Sequence, residues 1–429
     1  MTKPLRVAIA GLGTVGGGVL KVLTARRVEI AARAGREIEC VLVSARDRKK
    51  KRAADIGSIA WADDSVSLAE SDVDVVVELI GGEAGVAHAL VQRALKAGKH
   101  VVTANKALLA HHGAELAALA EEKGVLLRFE AAAAGGIPIV KAMRESLIAY
   151  DVAAVKGILN GTCNYILTQM EATGRPFAEI LADAQRLGFA EADPSLDVGG
   201  GDTAHKIALL AALAFGIKPD LRNIPIEGIS HITPQDIAFA REFGCRIKLL
   251  GIARRVGDRF DQRVQPAIVR LGTPLADVDG AFNAVVAHAG EAGPFFFEGR
   301  GAGEAPTASA VVADIVDIAR GNASPVFGRP AGTLRAAEPA PTHTLKSAFY
   351  LRFDVLDVPG VLADIARQLA QSEVSIESMI QRGRAPGEPV SIVMITHECS
   401  HEAVARALKV IATSDRVLGA PCMIPMEAG

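Results

Sequence analysis

Val7-Ala8-Ile9-Ala10-Gly11-Leu12-Gly13-Thr14-Val15-Gly16 is an apolar run that passes through GxGxxG into a helix-forming segment. The order strand, glycine turn, helix is what a dinucleotide-binding fold needs. Gly11 permits the tight turn, Gly13 lets the backbone approach a pyrophosphate, and Gly16 lets helix and strand pack closely. The free N–H groups of the helix start, at Thr14 and Val15, then offer partial positive charge to the phosphates. The bare motif also occurs as a tight structural turn. Its setting between a strand and a helix favours nucleotide binding through Gly11, Gly13, Thr14, Val15 and Gly16.

Outward from this stretch, strand and helix signals alternate. Strands are expected over 5–10, 39–44, 73–80, 100–103 and 125–129, with helices over 15–23, 86–97 and 114–122. Such alternation implies a parallel sheet covered on both faces. The character changes after residue 130. Strands are expected over 152–159 and in several runs between 264 and 297, and helices over 177–187, 201–215 and 307–320. That describes an α+β domain. Residues 321–346 carry Pro325, Pro330, Pro339 and Pro341 and read as a linker with little regular structure. Beyond it, strands over 348–355, 374–379 and 391–396 and helices over 360–371 and 401–411 suggest a small βαββαβ unit. There are no internal repeats.

Composition limits the alternatives. The chain has 429 residues, half of them hydrophobic, with a formal net charge of −2. It is too long for one core, and two or three domains are expected. The charge balance gives no field to attract nucleic acid or an anionic membrane. No uninterrupted apolar stretch reaches ~18 residues, so no membrane span is expected. The five cysteines show no metal-ligand spacing and fit a reducing, cytoplasmic setting.

The second strand of a nucleotide-binding sheet usually ends in an acid when NAD is preferred. Here it ends Val43-Ser44-Ala45-Arg46. Ser44 and Arg46 instead suit a 2′-phosphate, so NADP is expected, with NAD still possible because Asp47 is close. The basic run after Arg46 also reads as a solvated loop. Lys106, in Thr103-Ala104-Asn105-Lys106, follows a strand end facing the cofactor crevice. It is placed to touch cofactor or substrate, or else is an exposed loop lysine.

The most chemically loaded stretch lies further on. Glu191, Asp197, Asp202 and Lys206 crowd around the start of a helix, and Asp202 and Lys206, four apart, share one helical face. In isolation such a pair is a surface ion pair of little energetic value. Here it follows Gly199-Gly200-Gly201 and an acid-rich turn. Cys163 offers a rival nucleophile, but no histidine stands in its segment, and a packed small residue is the simpler reading.

Together these segments resemble the homoserine dehydrogenases of the three-domain type, over essentially the whole chain. The matching stretches are Gly11 to Gly16, Thr103 to Lys106, Ala134-Gly135-Gly136-Ile137-Pro138-Ile139, Lys156 to Leu167, and Gly188-Phe189-Ala190-Glu191-Ala192-Asp193-Pro194 leading to Asp202 and Lys206. Asp357-Val358-Pro359-Gly360-Val361-Leu362 resembles ACT ligand-sensing domains.

The resemblance implies an α/β protein. A Rossmann-like nucleotide-binding domain would span 1–130, and an α+β catalytic and dimerisation domain 131–325, whose late helix over 307–320 has the option of packing back on the first domain. A linker over 326–346 would lead to a ferredoxin-like ACT domain over 347–429. It implies reversible reduction of aspartate semialdehyde to homoserine. Lys206 would serve the reacting oxygen, with Asp202 placing it and Lys106 nearby. Glu191 would bind the substrate ammonium; Asp197 would assist or merely cap a helix. A monovalent cation, Na+ or K+, would sit on backbone carbonyls at Glu130, Ala133, Gly135 and Ile137. Threonine would be the effector, held at Asp357 and Gly360, in a homodimer or homotetramer; the alternative is that the ACT unit is only a dimerisation module. Two other readings stay open: a non-catalytic nucleotide and amino-acid sensor, and another ACT-containing Rossmann dehydrogenase.

Overall fold

The first strand, β1 (Leu5–Ala10), is buried along almost all of its length, as a central strand covered on both faces must be. The computed structural model describes residues 3–50, 52, 54–382 and 389–427. After β1 come α1 (Thr14–Ala25), α2 (Arg27–Ala34), β2 (Ile38–Ser44), β3 (Ala60–Trp61), β4 (Val75–Glu78), α3 (Val86–Lys96), β5 (His100–Thr103), α4 (Lys106–Glu122) and β6 (Leu127–Arg128). The six strands lie in the order β3-β2-β1-β4-β5-β6 and pair parallel throughout. Strand order reverses between β1 and β4, and a crevice opens beyond their carboxyl ends. The sequence predicts α4 from residue 114, but it starts at Lys106. Asn105 explains the difference: its side chain accepts from Leu108 N at 3.1 Å and caps the helix.

The second domain contains α5 (Glu130–Ala134), α6 (Ile139–Lys141), β7 (Ala154–Ile158), α7 (Gly161–Thr173), α8 (Phe177–Arg186), α9 (Ser195–Val198), α10 (Gly201–Phe215), α11 (Pro234–Glu242), β8 (Cys245–Val256), β9 (Arg259–Arg270), β10 (Phe282–His288), β11 (Pro294–Arg300) and α12 (Glu304–Arg320). Its strands run antiparallel as β11-β10-β7-β8-β9. The sequence pattern hides most of the long β8–β9 hairpin, because Arg246, Lys248, Arg254, Asp261 and Arg263 break the apolar alternation. Those charges are spent internally: Arg254 and Arg263 both bond Asp261. Helix α10 is buried nearly all round, as a helix passing through a core must be. It packs between the sheet and α4 and α5. Helix α12 returns to the first domain, where Ala308, Val311 and Ile315 join Val19, Leu20 and Leu23 in one buried cluster.

Residues 321–346 carry little regular structure, yet they are docked rather than dangling. Phe327 is buried, and the buried Arg128 donates to the carbonyls of Asn322 and Ser324. The chain continues through β12 (Lys346–Ser347), β13 (Phe349–Leu356), α13 (Val361–Gln371), β14 (Ile376–Gln381), β15 (Pro389–Thr396), β16 (Cys399–Ser400), α14 (His401–Ile411) and β17 (Cys422–Glu427). The last unit is a βαββαβ sheet in the order β17-β13-β15-β14. Strand β17 also pairs parallel with β9 through Met426 and Glu427, giving one sheet of nine strands across two domains. Glu427 is buried there, 3.1 Å from Lys156 Nζ and 3.6 Å from Arg254 Nη2. Among the described residues no helix is long and apolar enough to cross a membrane.

Candidate active site

The glycine motif closes as its spacing requires. Gly11 has φ +97°, and a β carbon there would meet Leu79 O at 2.4 Å; one on Gly16 would meet Gly11 O at 2.0 Å. Both contacts exclude any side chain. Gly13 has open space on that side, which leaves its backbone approachable. The strand ends beside it are pinned by the buried Glu78 carboxylate, which accepts from Ile80 N, Gly81 N and the Thr103 hydroxyl at 2.7, 3.0 and 2.6 Å.

At the tip of β2, Ser44 is fully buried, and its hydroxyl lies 2.9 Å from that of Ser65. It is therefore a packing residue, contrary to the expectation that it meets a phosphate. Asp47 is engaged in a turn with Lys49 N. Arg46 is exposed beside them. The guanidinium groups of Arg48 and Arg52 lie 5.7 and 5.4 Å from the Trp61 ring centroid, within cation–π range. Of the basic run, Lys51 lies outside the described residues.

A cavity of about 610 Å3 runs from Val15 and Ala104 to Lys106, Glu191, Asp197, Asp202 and Lys206. Its size suits a small-molecule site. A larger groove of about 860 Å3 lies between α4 and residues 218–223 and 331–339, and holds none of the predicted residues.

In the first cavity, Lys206 Nζ donates to Asp202 Oδ2 and to the Leu159 carbonyl, each at 2.7 Å. Lys106 Nζ lies 3.1 Å from Asp202 Oδ1, so one carboxylate joins two cations from different domains. Burial alone would push the Asp202 carboxyl up. The charges of Lys206 and Lys106, with hydrogen bonds from Lys206 and Asn160, outweigh it and hold the group well below the usual carboxylate range. The neighbouring Asp197 is raised, by burial first and by the charge of Asp202, although the Asn160 amide opposes this.

Asn160 is the residue whose part the sequence reading missed. Its amide nitrogen donates to Asp197 Oδ1 at 2.7 Å and Asp202 Oδ2 at 2.9 Å. Its carbonyl oxygen accepts from Cys163 N, capping α7. Asparagine before Gly161-Thr162 is a legible cap signal, but nothing in the sequence says where its other end reaches. Asn283 Nδ2 also donates to the Leu159 carbonyl, at 3.0 Å.

Asp197 is not the α10 cap. It lies within α9, and α10, with Gly200 at its N-cap, has no side-chain cap. Glu191 is exposed at the cavity edge. Cys163 is fully buried, its sulfur 3.2 Å from the Asp197 carbonyl, and burial and the nearby carboxylates push its thiol well above the ordinary range. A nucleophile needs the opposite. His205 does not line the cavity. Its ring meets His111 edge-on at 5.9 Å.

The four residues expected to hold a cation lie on α5 and in the turn that leads from it to α6. Gly135 has φ +58°, and its missing side chain admits the Gly301 carbonyl. The Glu130 carboxylate is already used, accepting from Val140 N at 3.0 Å and Lys141 N at 2.8 Å. Burial, then the charge of Asp314, raises it to about 8. What Glu130, Ala133, Gly135 and Ile137 offer an ion is therefore mainly neutral carbonyl oxygen. That donor set fits a hard ion of low charge better than a divalent one.

In the ACT unit, Gly360 has φ +95° and starts α13, while Asp357 is half-buried in the same turn. A β carbon at Gly360 would meet nothing nearer than Arg416 Nη1 at 3.6 Å. Backbone strain, rather than crowding, is thus what a substitution there introduces.

Comparison with known proteins agrees across the chain. Family models described as "Homoserine dehydrogenase, NAD binding domain", "Homoserine dehydrogenase" and "ACT domain" match residues 11–130, 138–316 and 349–413. The homoserine dehydrogenase of Neisseria gonorrhoeae is 44% identical, covering 99% of both chains. That of Pseudomonas aeruginosa is 43% identical, again over 99% of both. The crystal structure of a homoserine dehydrogenase from Thiobacillus denitrificans superposes with a TM-score of 0.93 at 44% identity, covering 99% of each chain.

Proposed function

Because the chain belongs to the homoserine dehydrogenase family, we propose that it catalyses the reversible reduction of L-aspartate 4-semialdehyde to L-homoserine with NADP. It would do so in the cytoplasm, in the branch leading to threonine, methionine and isoleucine. The observation that carries the reading is the Lys206 ammonium. Two of its three hydrogens are taken by Leu159 O and Asp202, which leaves one directed donor for a substrate oxygen.

NADPH supplies the hydride when bound, and its phosphates would rest on Gly11, Gly13, Thr14, Val15 and Gly16. As the carbonyl carbon is reduced, negative charge grows on its oxygen. Lys206 gives that oxygen a proton, and does so from a fixed position. Asp202 sets the position and stays ionised between Lys106 and Lys206. Lys106 adds a second positive charge at the nucleotide side of the cavity. Glu191 accepts from the substrate ammonium, with Asp197 close behind. Asn160 holds the two aspartates apart at a fixed spacing. The carbonyls of Glu130, Ala133, Gly135 and Ile137 would hold Na+ or K+, which brings the two domains into register at the cavity.

Arg46 at the end of β2 supports NADP over NAD. The Asp357–Gly360 turn supports threonine as an effector. Strands β11 and β14 are the two edges of the nine-stranded sheet and carry the exposed Phe296 and Met379; this supports a homodimer or homotetramer. The test is direct: purified protein with homoserine and either cofactor, followed by nicotinamide absorbance. No cofactor reduction with homoserine would overturn the substrate assignment.

A further inference from the structure

We propose that His88, His112 and Glu115 form a divalent transition-metal site on the α3–α4 pair, separate from the catalytic cavity, and that Zn2+ is the ion it fits. One ligand atom from each of the three lies within 4.8 Å of the others. His112 and Glu115 are three residues apart on α4 and so share a face. His112 Nδ1 is 3.9 Å from Glu115 Oε2. His88 comes from α3, its ring stacked on that of His112 with centroids 4.3 Å apart. None of the three lines the catalytic cavity.

An independent observation points to a missing partner. His88 Nε2 is buried and has no hydrogen-bond partner, an arrangement that folded proteins rarely leave without a reason. Burial first, then the charge of His88, hold the His112 imidazole below its ordinary range. Neutral imidazole is the metal-binding form. The carboxylate is oriented as well: Gln92 donates to Glu115 Oε1 at 3.3 Å, and Oε2 is the oxygen nearer His112. Such an outer contact is typical of metal ligands.

The chemistry selects the ion. Two imidazoles and one carboxylate, with water in the fourth position, suit Zn2+ and leave Mg2+ poorly served. Tetrahedral Zn2+ with bonds of roughly 2.0–2.1 Å places its ligand atoms about 3.4 Å apart. The site must therefore contract by up to about 1.4 Å, which rotation of the exposed Glu115 and the half-buried rings can provide. A bound ion would tie α3 to α4.

The experiment uses full-length protein stripped with a chelator. Zn2+ is titrated by calorimetry and against a competing chromophoric chelator, and Co2+ is added as a spectroscopic probe. One equivalent of Zn2+ should bind, Mg2+ should not compete, and Co2+ should show the visible bands of a nitrogen-ligated low-coordinate ion. His112→Ala and His88→Gln should each weaken Zn2+ by about tenfold or more, in line with the sensitivity of metal sites. Glu115→Gln, an exposed change that leaves the fold alone, should weaken it as well. His111→Ala, next along α4 but paired with Glu83, should not. Zn2+ should raise the thermal midpoint of the wild type and not of Glu115→Gln. If the wild type takes up no Zn2+, or if Glu115→Gln and His112→Ala bind it as the wild type does, the site is refuted.

Discussion

Replacing Lys206 with Met tests the proposed chemistry with little change of shape. The methionine keeps most of the buried stem and removes the ammonium, so a fall in rate is not a cavity effect. The lost group made two bonds of 2.7 Å, to Asp202 and to Leu159 O. A positioned general acid is worth about 10²–10⁴-fold, or roughly 3–5 kcal/mol of barrier. The upper half is expected here, because Lys206 would both protonate the oxygen and neutralise its charge. Breaking a buried ion pair ordinarily costs ~3–5 kcal/mol of stability. Here Asp202 keeps Lys106 at 3.1 Å and Asn160 at 2.9 Å, so the loss should fall below that range. The glycine motif lies in the other domain, so NADPH affinity should stay close to wild type. The assay is kcat and KM for homoserine oxidation at saturating cofactor, beside a fluorescence titration of NADPH and a thermal melt. A kcat loss of less than about tenfold in folded, cofactor-binding protein would remove Lys206 from the chemistry. Asp202→Asn should lose less, and equal losses in both single variants and the double would mean that the pair acts as one unit.

Arg46→Ala should lower kcat/KM for NADP more than for NAD; an unchanged ratio would assign the 2′-phosphate elsewhere, with Arg48 and Arg52 beside Trp61 as the next candidates. Millimolar threonine should inhibit the wild type and not Asp357→Ala, measured as initial rates. Gly360→Val is a poorer probe because of the backbone strain at φ +95°. Truncation after Arg335 should lower the thermal midpoint, since it removes β17 from the β9 edge and Glu427 from Lys156 and Arg254; an unchanged melt would mean that the bridging strand contributes little. Glu130 and Asp314 are raised by burial to about 8 and about 7, so the native state keeps their protons at pH values where the unfolded chain has lost them. Their contribution is therefore present at low pH and fades as pH rises from the unfolded values through about 7–8. Asp314→Asn should flatten the decline in thermal midpoint between roughly pH 4 and 8, an effect on the order of 1–4 kcal/mol. An equally steep decline in the variant would show that these carboxyls are not its source.

Local patterning carried the fold class. GxGxxG between a strand and a helix, alternation at two periods, and the βαββαβ order at the C-terminus each depend on neighbours within a few residues, and they survive in the structure with shifted ends. The start of α4 moved because a single capping residue, Asn105, acts across one turn and leaves no periodic trace. Charged strands such as β8 hid because a buried Arg or Lys looks like a surface residue until its partner is known.

From residue order alone it follows that a dinucleotide-binding sheet, an α+β domain with a cluster of acids and lysine at one helix start, and an ACT unit succeed one another along this chain. Local hydrogen bonding and hydrophobic periodicity settle those features. Packing in three dimensions is what brings Lys106 to Asp202 from another domain and lets Asn160 span Asp197 and Asp202. It also decided that Ser44 is buried while Arg46 is not, and that β17 joins the ACT sheet to the catalytic one. Each of these pairs residues distant in sequence, and which buried charge meets which is set by how the domains pack.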